Sequence, residues 1–412
     1  MADVRRVRSA LSRSGDARMA TELGVASLLV PLGGFVANIV FARTLGASGR
    51  GDLAAIVAAL AVCEAVLTFG LPDILARHIA RGSLPSGVQR SLPMGAVAAS
   101  LIPGVLISLY CHSRHFSWPV AAVAGCVVPV MIAVAVARGV LVGRRAYRRL
   151  TGALVLTGVV RLVAPVVLIV VDNPTENLAL ILVLGWTVAP AVPIFASRPF
   201  AGPLGSVRDS WQILRESLSY WPAQLAWQLN TRLDQLVLAM FVSAADLGRY
   251  AVCVGIAEVP SALASGARQV ILARVATSHV FHGVMRIAHV FLVAGVVSGA
   301  LSAYFAAPLL AAVFGHEFSS ISLVLGILLA ATGFDVAAGL VNIGLTAVGR
   351  GRSASMNQLI GLSITVIVLP IAVLHGGGIT SAAAVRLVAS ACAYLLALSS
   401  VRRFNRSEVA SL

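Results

Sequence analysis

Trp227-Gln-Leu-Asn-Thr-Arg-Leu-Asp-Gln-Leu-Val-Leu-Ala-Met-Phe241 places Arg232 and Asp234 inside a long apolar helical stretch. An ionisable side chain in such a position is costly in hydrocarbon and marks either a function or an internal partner. The rest of the chain identifies hydrocarbon as the surrounding medium. Of 412 residues, 58% are hydrophobic and 11% charged, whereas a water-soluble domain carries about 25% charged residues. Apolar runs of roughly 20 residues recur throughout, each long enough to cross about 30 Å of hydrocarbon as a helix. The first run, from about Ala20 to Ala42, is too long for a removable leader and lacks a cleavage pattern.

The runs predict an all-α polytopic membrane protein of about twelve transmembrane helices, near 20–42, 52–76, 92–110, 118–137, 152–171, 178–197, 217–242, 248–275, 287–313, 320–349, 356–374 and 379–400. A formal charge of +15 would suggest nucleic acid in a soluble protein. Here all the basic residues are Arg, and most sit in alternate short connections, so no nucleic-acid partner is expected. Arg5, Arg6, Arg8, Arg13 and Arg18 precede the first run; Arg77, Arg81, Arg90, Arg138, Arg144, Arg145, Arg148 and Arg149 follow the second and fourth. The opposite connections carry little beyond Arg43, Arg50, Arg114 and Arg249. This asymmetry predicts a multi-pass protein of the cytoplasmic membrane with both termini inside.

The expected organisation is a basic segment 1–19, an N-lobe 20–197, an amphipathic cytoplasmic linker 198–216, a C-lobe 217–400 and a tail 401–412. Leu204, Val207, Trp211, Leu214 and Leu218 recur along one helical face of the linker and its exit, as in a segment lying in the membrane interface. The halves echo one another. Leu141-Val-Gly-Arg-Arg145 precedes a helix containing Pro165, and Ala347-Val-Gly-Arg-Gly351 precedes one containing Pro370. Ile74-Leu-Ala-Arg77 matches Ile271-Leu-Ala-Arg274, and Gly49-Arg50 matches Gly248-Arg249. Two pseudo-symmetric six-helix lobes of this kind are typical of transporters that rock about a midplane site.

Ala42-Arg-Thr-Leu-Gly-Ala-Ser-Gly-Arg-Gly51, Gly70-Leu-Pro-Asp73, and Arg232-Leu-Asp234 followed by Leu247-Gly-Arg-Tyr250 resemble elements of polysaccharide (O-antigen type) flippases. Those proteins belong to the multidrug/oligosaccharidyl-lipid/polysaccharide (MOP) exporter superfamily. The resemblance implies alternating access that carries a polyprenyl-pyrophosphate-linked oligosaccharide outward, with membrane lipids and a coupling ion, proton or sodium, as further partners. It implies no cofactor. Lipid II flippases typically have fourteen helices and basic residues in the first span, and drug exporters often rely on an acidic residue there. This first span offers Asn38 as its notable polar group. A cation-coupled drug or small-metabolite antiporter of the same superfamily is the alternative. A membrane polymerase or ligase would be expected to hang catalytic groups on a long external loop, and no connection on the arginine-poor side exceeds about ten residues. An enzyme is therefore not expected.

The ionisable residues within the spans are Glu64, Arg161, Arg232, Asp234, Glu258, Arg268, Asp335 and Arg386. At 1.5 Å per residue, Glu64, Arg161, Arg232 and Glu258 come to about 15 to 18 Å depth, where a central cavity would lie. Gln224, Gln228, Arg232 and Gln235 recur at helical spacing and form one polar stripe, with Asp234 on a nearly opposite face. The stripe and Arg161 are the expected substrate-binding residues, because a planar guanidinium matches phosphate oxygens. The competing reading pairs Arg232 with Glu258 at matching depth. Glu64 and Glu258 are coupling candidates, or else balance neighbouring arginines. Asp234, Arg268, Asp335 and Arg386 are expected to be structural charges.

Other patterns carry less. His375-Gly-Gly-Gly378 lacks a G-x-S-x-G partner and makes a tight turn between spans. His112 and His115 have no further ligands nearby, so no metal is expected. Cys63, Cys111, Cys126, Cys253 and Cys392 have no C-x-x-C spacing and are expected to be packing residues.

Overall fold

The computed structural model describes residues 2–172, 174–278, 282–348 and 350–409. Of the side chains, those of 26, 28–172, 174–218, 221, 222, 225, 226, 228–261, 264, 283–346, 348 and 350–403 are described. The chain is 89% helical and has no strand among the described residues. Its helices are α1 (Ala2–Leu67), α2 (Leu71–Arg81), α3 (Val88–Ala99), α4 (Leu101–Ser113), α5 (Trp118–Gly143), α6 (Tyr147–Val170), α7 (Glu176–Val188) and α8 (Ala191–Phe195) in the first half. The second half holds α9 (Val207–Phe241), α10 (Ala244–Ser278), α11 (His282–Phe314), α12 (Ser322–Ala347), α13 (Gly351–Ala372) and α14 (Gly378–Val409).

Eight segments among the described residues are long and apolar enough to cross a membrane. Two of them, Leu28–Leu67 and Gly351–Arg403, each make two crossings. In α1 the reversal is at Gly46, where φ is 68°. Asn38 and Arg50 would stand about 18 Å apart along a straight helix. Instead Arg50 Nε donates to Asn38 Oδ1 at 2.7 Å, so the chain doubles back between them. The second reversal falls in the turn Val373–Gly377, and Gly361 of α13 then lies against Ala393 of α14. With the two 35-residue helices α9 and α10, twelve crossings result. Outward-facing Ile102, Val170 and Phe305 are each more than 70% exposed, as expected of side chains that meet lipid tails in a multi-pass membrane protein.

Several boundaries differ from expectation for local reasons. The first connection contracts to Gly46, so Arg50 sits in the first turn of the second crossing and not in a loop. That crossing breaks at Thr68–Gly70, where Phe69 and Gly70 have positive φ, before α2 continues with Pro72 in its first turn. The third crossing is split at Ser100, because Pro103 cannot donate to the carbonyl of residue 99 and crowds it. The amphipathic segment is continuous with the seventh crossing from Val207 onward. Its Val207 and Trp211 are exposed, while Ile213 is buried in the first-half core.

The two halves repeat their packing. Gly104 of α4 meets the backbone at Gly125 of α5, and Gly299 of α11 meets Gly326 of α12. Small residues allow such close helix approach in lipid, where no hydrophobic force drives helices together. Where the halves meet, Gly51 lies against the Ala244 carbonyl and Gly248 against the Ala47 carbonyl, a reciprocal pair at the same sequence offset. A methyl group on either glycine would collide with that carbonyl.

This end of the molecule, poor in arginine, is also latched by side chains that reach across. Arg43 Nε donates to Val313 O at 2.7 Å and its Nη2 to Ala312 O, both in the last turn of α11. Arg114 donates to Ala239 O in the last turn of α9, with Asp52 at 3.3 Å on its other side. Carbonyls at a helix C-terminus lack intrahelical donors and carry partial negative charge, so guanidinium groups suit them. In the opposite sense Glu317 Oε2 accepts the Ala47 N–H at 3.1 Å, satisfying a donor at the start of the second crossing.

Candidate functional site

Between the halves, midway along the crossings, α1, α6, α7, α9 and α10 enclose a cavity of about 150 Å³. A second cavity of about 470 Å³ opens among α1, α6, α9, α10, α12, α13 and α14. Pro31, Arg161, Arg232 and Glu258 line both, so the two spaces share a charged neck.

Arg232 and Glu258 meet there. Arg232 Nη2 lies 2.9 Å from Glu258 Oε1 and 3.2 Å from Oε2. The pair is accessible from the cavities, with side-chain exposures of 28% and 38%. Arg161 projects from α6 where Gly33 of α1 leaves room for its Cβ. Its guanidinium lies 5.3 Å from the Trp186 ring centre, and Nη1 donates to Val30 O at 3.3 Å. Its Nε is buried and has no hydrogen-bond partner. Stacking on an indole supports a guanidinium without using its donor fork. Arg50 lines the smaller cavity, steered by Asn38, whose amide in turn donates to Val252 O at 3.4 Å.

Asp234 has a different setting. It is 2% exposed and accepts from Tyr250 Oη at 2.6 Å and from Arg386 Nη1 at 2.8 Å. Arg386 Nε lies 3.9 Å from Asp335 Oδ2. This network ties α9 and α10 to α12 and α14. Arg386 and Asp335 also line the larger cavity.

Of the residues expected from sequence to bind substrate, Arg232, Arg161 and Gln235 come together at the smaller cavity. Gln228 lines neither cavity, and Asn230 and Thr231, one turn before Asp234, face the larger one instead. The side chains of Gln224 and Arg268 lie outside the described residues. Glu258 is at the neck, but Glu64 lines neither cavity. Arg50, Asn38 and Trp186 were missed as site residues.

The arrangement of two six-helix halves is the fold of solved MOP-superfamily transporters. The lipid II flippase MurJ in an inward closed conformation matches with a TM-score of 0.69 at 14% identity, over 92% of this chain and 87% of that one. An inward-facing multidrug resistance MATE family transporter of the MOP superfamily matches with a TM-score of 0.66 at 15% identity, over 94% and 100%. The MATE transporter VcmN of Vibrio cholerae, in a mutant form, matches at 0.61 and 16%, over 96% and 98%. No curated protein sequence matches. The family model described as "Polysaccharide biosynthesis protein" matches residues 20–274, more than half of the chain, and the chain belongs to that family.

Proposed function

We propose that the protein is a flippase that moves a polyprenyl-pyrophosphate-linked oligosaccharide across the cytoplasmic membrane, for cell-surface polysaccharide synthesis. The observation that carries this reading is the convergence of Arg50, Arg161 and Arg232 on the smaller cavity, with Glu258 as the carboxylate among them. Such a site has surplus positive charge in a low-dielectric setting and favours an anion with several acceptor oxygens. A cationic drug would be repelled, which weighs against the antiporter alternative.

Arginine distribution puts both termini in the cytoplasm. The latched, arginine-poor end is then the outer one, and the cavities await substrate from the inside. A pyrophosphate entering the neck competes with Glu258 for Arg232. Displaced Glu258 becomes free to take the coupling ion, which links substrate arrival to coupling.

The test is uptake and binding in proteoliposomes with a fluorescent undecaprenyl-pyrophosphate-linked glycan. Arg50→Ala, Arg161→Ala and Arg232→Ala are each expected to weaken binding about ten- to a hundredfold, the loss of one charge-assisted contact of about 1.5–3 kcal/mol. Glu258→Gln should keep binding while making transport insensitive to the imposed ion gradient. Wild-type affinity in all three arginine variants would overturn the reading.

A further inference from the structure

The larger cavity differs in chemistry from the neck it shares. Its Arg386 is held by Asp234 at 2.8 Å, with Asp335 at 3.9 Å, so this chamber adds no surplus positive charge. The remaining polar groups beyond the neck are neutral. They include Asn230 and Thr231 from α9, Thr332 from α12, Gln358 from α13 and Ser390 from α14.

The hydroxyls of Thr231, Thr332 and Ser390 donate to carbonyls three or four residues back in their own helices, at 2.7, 2.9 and 2.8 Å. Their oxygens therefore keep acceptor capacity for an incoming O–H, and the two amides offer both donors and acceptors. A polyprenyl chain in this space would leave the remaining acceptor capacity of these hydroxyls and of the Gln358 amide unused, whereas a hydroxyl-rich guest would fill it. The volume of about 470 Å³ suits a small organic ligand.

Resting on the flippase reading above, we propose that the two cavities divide the substrate. The neck takes the pyrophosphate, and the C-lobe chamber takes the first, uncharged sugars attached to it. Asn230, Gln358 and Thr332 then discriminate lipid carriers that bear a glycan from bare carriers.

The experiment measures binding to the full-length protein in nanodiscs with two probes. One is undecaprenyl pyrophosphate; the other is the same lipid bearing a neutral disaccharide. The wild type is expected to prefer the glycosylated probe at least about tenfold. Gly361→Leu places a larger side chain at the chamber wall, and a Cβ there meets only ordinary contacts, the nearest being Ala393 Cβ at 3.5 Å. That variant, and independently Gln358→Leu, should bring the preference close to unity while the bare lipid binds as before. Equal wild-type affinity for the two probes overturns the chamber assignment and leaves the flippase reading standing, as does a preference that survives both substitutions. A parallel loss of both probes in both variants also overturns it. A wild type that binds neither probe overturns the flippase reading and the chamber with it.

Discussion

Arg232 and Asp234 stand two residues apart on one helix and meet different partners, because a helix turns about 100° per residue. Arg232 reaches a partner at the neck that both cavities touch; Asp234 is sealed among Tyr250 and Arg386. Substitutions should therefore separate binding from folding. Arg232→Lys keeps the charge but loses the planar fork, so it should insert normally and lose most glycolipid affinity, measured on purified protein of equal helicity. Asp234→Asn should instead lower the yield and melting temperature, since it leaves buried Arg386 poorly compensated, at a cost of about 3–5 kcal/mol. Asp234→Leu combined with Arg386→Met should regain much of that loss, because an apolar pair of similar volume needs no desolvated charge. A double variant as unstable as Asp234→Asn would show that the network supplies more than mutual neutralisation.

Charges in apolar helices were legible at this scale. Arg161, Arg232, Asp234, Glu258 and Arg386 stand out in the sequence because hydrocarbon tolerates few such groups, and the structure gathers all five about the cavities. Arg50 did not stand out, because the glycines at 46, 49 and 51 read as a loop. A clue was present in the repeat. Arg249 has Asp246 three residues before it and pairs with it at 2.9 Å, whereas Arg50 has Ala47 at that position and no such neighbour. Gln228 misled for a different reason: helical spacing gives the direction of a stripe but not how far along it a cavity extends.

At the scale of elements, the reversal of α1 at Gly46 sets the register of the first two crossings. A side chain at φ 68° costs roughly 1 kcal/mol or more, since only glycine enters that region freely. The displaced turn would also draw Ala47 away from Glu317 and Arg50 away from Asn38. Gly46→Val should thus lower stability and glycolipid binding together, read by thermal unfolding and by the binding assay. Glu317→Gln, which keeps size but removes the charge, should cost only stability. Twelve apolar runs could be counted from sequence because each spans the bilayer, but their ends could not. Ends are set by single residues such as Pro103 and Gly70, and by capping partners hundreds of residues away such as Glu317.

For the molecule as a whole, orientation is open to direct test. In a background from which Cys63, Cys111, Cys126, Cys253 and Cys392 are removed, single cysteines at Asp172 and Ser243 should react with an impermeant thiol reagent applied outside intact cells. One at Arg148 should not, and the reverse pattern would turn the molecule over.

The latch between the halves has a consequence for how the protein tolerates change. Arg43 and Arg114 grip main-chain oxygens of the opposite lobe, at Ala312, Val313 and Ala239, and every amino acid supplies such an oxygen. Drift at the gripped positions leaves the grip intact, so the lobes can diverge without compensating changes across the seam. Loss of either arginine, by contrast, has no remedy on the far side. A suppressor screen begun from Arg43→Ala should accordingly return reversions and changes that stabilise closure elsewhere, and none at 312 or 313.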